Sequence, residues 1–277
     1  MSNQIPSNKP IETLSIGNVV SAGLRIYKYN FKSYYLIALK AYLWVIIPIY
    51  GWAKFATLSG LISRLAFSEV NERPETETEA RSYIEPHFWN FFVTGFLVGL
   101  IIVGVTFVSL FFGTIIFFIL GAILGQNTTG MIMLVLLGII AFLGFLFFYI
   151  WLFSRVSLAE FPIAIEDLSD ATKAIARSWK LTQGYVLKLQ LIFFVAFLIS
   201  IPISAALQII SYIVQLFPLL IFSADSGLYV LITVFSNLLL TIVGSALLVP
   251  FWQSIKAVIY YDLRSRREGM GLNLRKS

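Results

Sequence analysis

The chain contains no cysteine and one histidine in 277 residues. That excludes disulfides, thiolate metal sites and cysteine nucleophiles, and leaves His87 as the only imidazole. Charge is scarce too. Asp, Glu, Lys and Arg make up 12% of the residues, against 58% hydrophobic, and the mean hydropathy is +0.86. A soluble domain of this length carries about twice that share of charge. From Pro86 to Ser154 there is no charged residue, and between Lys188 and Lys256 there is only Asp225. Each run exceeds one membrane crossing of about 20 residues and reads as two helices. The opening MSNQIPSNKP is polar, without an apolar core, and predicts no cleavable signal peptide. No phosphate-binding loop, dinucleotide fingerprint, catalytic triad, paired carboxylates or nucleic-acid motif occurs.

What is present is an all-α pattern of a polytopic membrane protein, with about six transmembrane helices arranged as three helical hairpins. Residues 33–67 read as a short first hairpin turning near Pro48, Tyr50 and Gly51. Its arms of about 17 residues reach roughly 25 Å, so it is tilted, kinked or re-entrant. The second hairpin runs from Phe91 to about Leu124, turns through GQNTTG, and returns over Met131 to Phe153. The third runs from Leu187 to Ile213, turns through FPLLIFSADSG, and returns from Leu228 to Trp252. The last two turns lack Lys and Arg, whereas the opposite ends are basic. The positive-inside rule then puts both termini in the cytoplasm, and it accounts for the net charge of +6 without nucleic acid. All six Trp fall near proposed helix ends or flanking segments, as in an interfacial belt.

A repeat runs through these units. LRIYK, ARSY and ARSWK enter the three hairpins, so Arg25, Arg81 and Arg177 are followed two places on by Tyr27, Tyr83 and Trp179. SRLAFSE and SRVSLAE leave the first two, matching Ser63, Arg64 and Glu69 to Ser154, Arg155 and Glu160; Ser254, Lys256 and Asp262 follow loosely in the third. The expectation is one membrane domain over 1–277 built from three units, 1–80, 81–160 and 161–277, each hairpin preceded by an interfacial amphipathic helix. In IEDLSDATKAIARSWK, Ile165, Leu168, Ala171, Ile175 and Trp179 share helical spacing. Its acids come early and its bases late, complementing the helix dipole. TLSIGNVVSAGLRIYK repeats the scheme with Ile16, Val19, Val20, Leu24 and Tyr27.

AIARSWKLTQGYVLKL and PFWQSIKAVIYYDLRSRREG resemble a widespread family of prokaryotic integral membrane proteins labelled glycerophosphoryl diester phosphodiesterase membrane-domain-like, with UPF-type inner-membrane relatives. The residues that carry it are Ala174, Arg177, Ser178, Trp179, Leu181, Thr182 and Gly184, then Pro250, Tyr260, Tyr261, Asp262, Arg264, Arg266, Glu268 and Gly269. GNVVSAGLRIYKYNF looks like the family's opening. The label comes from members fused to a phosphodiesterase domain that this chain lacks, and the resemblance brings no catalytic residues. YYDLRSRREG is close to cyanobacterial members, which implies a thylakoid as an alternative to the plasma membrane.

The functional expectation is a non-enzymatic protein without cofactor or metal. Arg25, Arg81, Arg177, Trp179, Arg264, Arg266 and Arg267 engage anionic headgroups, a membrane-protein partner or a second copy. Lys40, about a third of the way into the first crossing, is the one candidate intramembrane charge, with Glu160 or Asp262 as its partner. The alternatives are a small-molecule or ion carrier, its cavity lined by Lys40, Gln190, Gln208, Gln215 and Asn237, and a lipid-modifying enzyme using Glu160, Asp262 and His87. His87 reads mainly as a headgroup-level residue near Glu85, and the acidic run Glu69 to Glu79 as a solvated loop. Gly95, Gly99, Gly104, Gly138 and Gly144 mark close helix approach. Asn127 matches a glycosylation sequon for which nothing else argues.

Overall fold

The computed structural model describes residues 15–223 and 226–268. The polar start of the chain, Asp225 of the third turn and Gly269 onward lie outside the described residues. Those described are helical, without strands. The order is α1 (Ile16–Tyr29), α2 (Phe31–Trp44), α3 (Tyr50–Val70), α4 (Glu77–Ile84), a 3-10 turn (Glu85–His87), α5 (Phe88–Leu124), α6 (Thr128–Val156), α7 (Phe161–Glu166), α8 (Ala171–Thr182), α9 (Val186–Leu219) and α10 (Gly227–Glu268).

Starts are marked by side-chain caps. Ser15 accepts from the Asn18 amide, Asp170 from those of Thr172 and Lys173, and Asn127 from that of Gly130, while Thr76 and Glu79 form a reciprocal capping box on α4.

Four helical segments are long and apolar enough to cross a membrane, those that contain α5, α6, α9 and α10. The first pair is not among them. α2 has 14 residues, about 21 Å of rise against a hydrocarbon core of roughly 30 Å. α3 is longer, but Lys54, Arg64, Glu69 and a run of Ser and Thr dilute it, and most of its residues are buried in protein.

The core lies at one end of the molecule. α1, α2, α3, α7, α8, the start of α9 and the second half of α10 supply nearly all of it; from α5 only Phe91 joins. The buried residues of α10 run from Ile242 to Leu263, and α1, α2 and α3 pack against this helix. Beyond that core, α5 pairs with α6 and α9 with α10, and their flanks expose Phe, Leu, Ile and Val almost continuously. An apolar surface of this extent suits a hydrocarbon surrounding.

Close approach is set by other glycines than those read from the sequence. A Cβ at Gly23 would lie 2.7 Å from Ile255 Cγ1 and 2.9 Å from its Cα, and one at Gly60 would enter the Phe91 ring. At Gly95, Gly99, Gly104 and Gly144 it would meet nothing within 4 Å, and at Gly138 only Phe117 at 3.7 Å. The G-x-x-x-G pattern on α5 therefore makes no helix contact within this chain.

Candidate functional site

The single amphipathic helix expected over 165–180 is broken in two. Asp167 adopts a left-handed backbone (φ 57°), and Asp170 caps a new helix, α8. α8 buries Ala171, Ala174, Ser178 and Leu181 and turns Trp179 outward, so small residues, not the Ile175 and Trp179 stripe, form its inner face. α1 keeps the expected face, burying Val19, Val20 and Tyr27. The Tyr27 hydroxyl donates to the Leu247 carbonyl at 3.0 Å; burial, with Tyr35 beside it, pushes its pKa up to about 12.

Three ion-pair groups hold the core end together. Glu166 is the centre of the first. Arg177 donates to both its oxygens at 2.9 Å, Tyr260 donates to Oε1, and Arg264 lies 3.5 Å away. Glu268 bridges Arg177 and Arg264. The bonds to Glu166, opposed by burial, hold the Arg177 guanidinium above its ordinary pKa. In the second group Asp262 accepts from Lys188 at 3.2 Å and pairs with Arg266 at 3.0 Å. In the third, Glu160 accepts from Lys256 and from the Gln253 amide.

Among the residues matched by the repeat, the serines and the arginines that follow the first two make similar contacts. Ser63, Ser154 and Ser254 are fully buried, and each hydroxyl donates to the carbonyl four residues earlier. Arg64, leaving the first pair, stacks 3.6 Å over Tyr83 and is bidentate to Glu75. Arg155, leaving the second, lies 5.0 Å over Trp179 and donates to its carbonyl. A base near the end of one long helix thus grips an aromatic residue of a following short helix, Tyr83 of α4 or Trp179 of α8.

These contacts redistribute the expected interface residues. Arg177, Arg264 and Arg266 turn toward carboxylates, Arg81 pairs with Glu77 and Glu85 along α4, and Arg267 donates to the carbonyls of Leu181 and Gln183. Arg25 and Trp179 are exposed. Lys40 is exposed on α2, and neither expected partner is available to it, because Lys256 holds Glu160 while Lys188 and Arg266 hold Asp262. Helix rotation decides this: Ile37, Ala38 and Ala41 face the core, leaving Lys40 outside.

The remaining candidates separate. His87 Nε2 meets Asp167 at 2.8 Å, not Glu85. Gln215 and Asn237 bond each other and Ser211, clamping α9 to α10, whereas Gln208 is exposed and Gln190 joins neither. Glu160, Asp262 and His87 each have a different partner. Of the acidic run, Glu69 meets Asn30, Glu75 Arg64, Glu77 Arg81 and Glu79 the α4 cap, while Glu72 is exposed. Glu166 and Glu268 as bridging acids, and the Lys256–Glu160 pair, were missed; only the even alternation of bases and acids at the helix exits hints at them.

Among the described residues no group of three or more His, Asp or Glu is placed to hold a metal ion. What stays exposed and basic on α1 and α2 is Arg25, Lys28, Lys32 and Lys40, none within 4 Å of a described carboxylate oxygen. Beside them Tyr29, 85% accessible, Phe31 and Leu36 are exposed. No curated protein and no solved structure matches the chain. A family described as a domain of unknown function, DUF7847, matches residues 40–263, most of the chain, and the protein belongs to that family.

Proposed function

We propose that the protein is a non-enzymatic integral membrane protein that holds anionic lipid headgroups against α1 and α2, with both termini in the cytoplasm. The observation that carries this is the strip of bases Arg25, Lys28 and Lys32, which have no carboxylate partner among the described residues, interleaved with exposed Tyr29, Phe31 and Leu36. Cations beside aromatic and aliphatic side chains suit the headgroup layer. The ion-paired core end carries most of the chain's bases, and the α5–α6 turn carries none, which favours a cytoplasmic core.

In this reading the three units are three hairpins, of which the first dips into the cytoplasmic leaflet without completing the fifth and sixth crossings. Supporting it are the shortness of α2, its packing on α10 together with α1 and α3, and the exposed apolar tip Trp44 to Tyr50. Kinship with the glycerophosphoryl diester phosphodiesterase membrane-domain-like proteins is part of the proposal; of the residues that carry it, those described fall on α8, at Gly184 just after it, and on the packed half of α10. A protein partner or second copy on the same strip is the competing occupant.

The test is retention of phosphatidylglycerol by detergent-solubilised protein in native mass spectrometry, at low and high salt. Each cation near an anionic surface contributes about 1 kcal/mol, screened beyond about 10 Å at 0.1 M salt. Arg25, Lys28 and Lys32 replaced together by Gln should lose most of the retained anionic lipid, and high salt should mimic the change. Unchanged retention in the triple variant overturns the proposal.

A further inference from the structure

Two amides of α9 differ in what they meet. Gln215 donates at 3.0 Å to Ser211 Oγ and to Asn237 Oδ1 of α10, and Ser211 donates to the same Asn237 oxygen at 3.1 Å. Gln208, two turns earlier, is exposed and makes no hydrogen bond with any described residue. Its depth makes that costly. Leu207 packs on Gly244 of α10, where a Cβ would lie 2.9 Å from Leu207 Cδ1, so Gln208 stands at the level of Gly244, inside the apolar stretch from Leu228 to Trp252. At 1.5 Å per residue it is about 16 Å from the end of α9 at Leu219, and Gly244 is about 12 Å from Trp252. A glutamine side chain spans neither distance, so the amide does not snorkel to water. Folding back onto the carbonyl four residues earlier, as Gln126 does to Ala122, would occupy one N–H and leave Oε1 unpaired. The acyl chains at that depth carry no hydrogen-bonding group, so the missing partner is protein.

The surface around Gln208 is open as well. Ile201, Ser204, Ala205 and Tyr212 are exposed, lie three, four or seven residues from it, and form one side of α9 with it. Ser204 and Ala205 are small enough for a second helix backbone to come close.

We infer that this side of α9 is the contact between two copies of the chain, their Gln208 carboxamides paired across a two-fold axis along the membrane normal. A carboxamide carries donor and acceptor side by side, so two of them close two reciprocal N–H···O bonds. Copies inserted with the same topology place Gln208 at the same depth, and an isologous contact requires such a self-complementary patch. This face shares no residue with the basic strip, so either proposal can fail without the other.

The test exploits the absence of cysteine. Single cysteines are placed in the full chain, which is reconstituted in liposomes at low protein-to-lipid ratio and oxidised. Ala205→Cys should give a disulfide-linked dimer, since a close helix pair brings the two Cα atoms within disulfide range. Ile210→Cys, also exposed but on nearly the opposite side of α9, should stay monomeric. Energy transfer between copies labelled at Ser226→Cys, followed on dilution with lipid, gives the strength of the dimer. Gln208→Leu should weaken it about tenfold, the effect of two interhelical hydrogen bonds at the modest strength they have in membranes, and should lower the crosslinked fraction of Ala205→Cys. Gln208→Asn, which keeps a carboxamide, should lose less. Native helicity by circular dichroism checks that each variant is folded. A monomer at every protein-to-lipid ratio, equal crosslinking of Ala205→Cys and Ile210→Cys, or a dimer undiminished by Gln208→Leu would overturn the assignment.

Discussion

Glu166 is the position where one atom change should be felt most widely. Its side chain is 13% accessible and that of Arg177 is 23%, so both charges are largely withdrawn from water. Two hydrogen bonds at 2.9 Å join them, and Tyr260, fully buried, spends its hydroxyl on the same carboxylate. Glu166→Gln keeps the shape but sets an amide against the guanidinium and leaves it with Glu268 alone. Breaking one side of a buried pair costs roughly 3 to 5 kcal/mol, because the remaining charge is uncompensated. For a domain of this size each kcal/mol moves the midpoint by about 2 to 4 °C, so a loss on the order of 10 °C is expected. The assay is thermal unfolding in a mild detergent by circular dichroism, at one scan rate because membrane-protein unfolding is commonly irreversible. Arg177→Met should cost a similar amount, and the double variant should cost clearly less than the sum. Two small shifts, or strict additivity, would refute the claim that Glu166 and Arg177 anchor α7 to α8 and α10.

Gly23→Ala should destabilise by about 1 to 3 kcal/mol through overpacking against Ile255, while Gly95→Ala should leave the midpoint unchanged. Cysteines placed singly at Asn127 and Ser226 in this cysteine-free chain should react with an impermeant maleimide from outside, and those at Thr76, Ser265 and Ile47 should not; labelling at Ile47 would mean the first pair crosses fully. Hydrogen bonds from Thr172, with the Lys173 amide, hold Asp170 below its ordinary pKa of 3.8. A carboxylate depressed in the folded state stabilises above its unfolded pKa and loses that contribution as pH falls through the folded one. The unfolding midpoint should therefore drop less between pH 5 and pH 3 in Asp170→Asn than in the native chain; identical slopes would remove Asp170 as the source.

Hydrophobic run length alone was enough to read a helical membrane protein, because a helix in hydrocarbon must satisfy its own backbone and needs about 20 apolar residues to do so. The α5–α6 turn and the turn at Pro48 were legible for the same local reason: Asn127 caps a helix, and the stretch through Pro48 and Gly51 breaks one. The repeat was visible as spaced Ser, base and aromatic residues, yet its meaning was not. The burial of Ser63, Ser154 and Ser254 depends on how the helices pack, and the stacking of Arg64 and Arg155 on Tyr83 and Trp179 depends on pairing segments about 20 residues apart. Tertiary structure likewise decided which bases are free. Arg25, Arg177 and Arg264 look alike in sequence, but Glu166 and Glu268 meet only the last two. The same is true of Lys40, whose side of α2 was fixed by Ile37, Ala38 and Ala41 packing inward. Run length is a property of consecutive residues, whereas desolvation and ion pairing depend on which helix faces are brought together, and no local pattern specifies that.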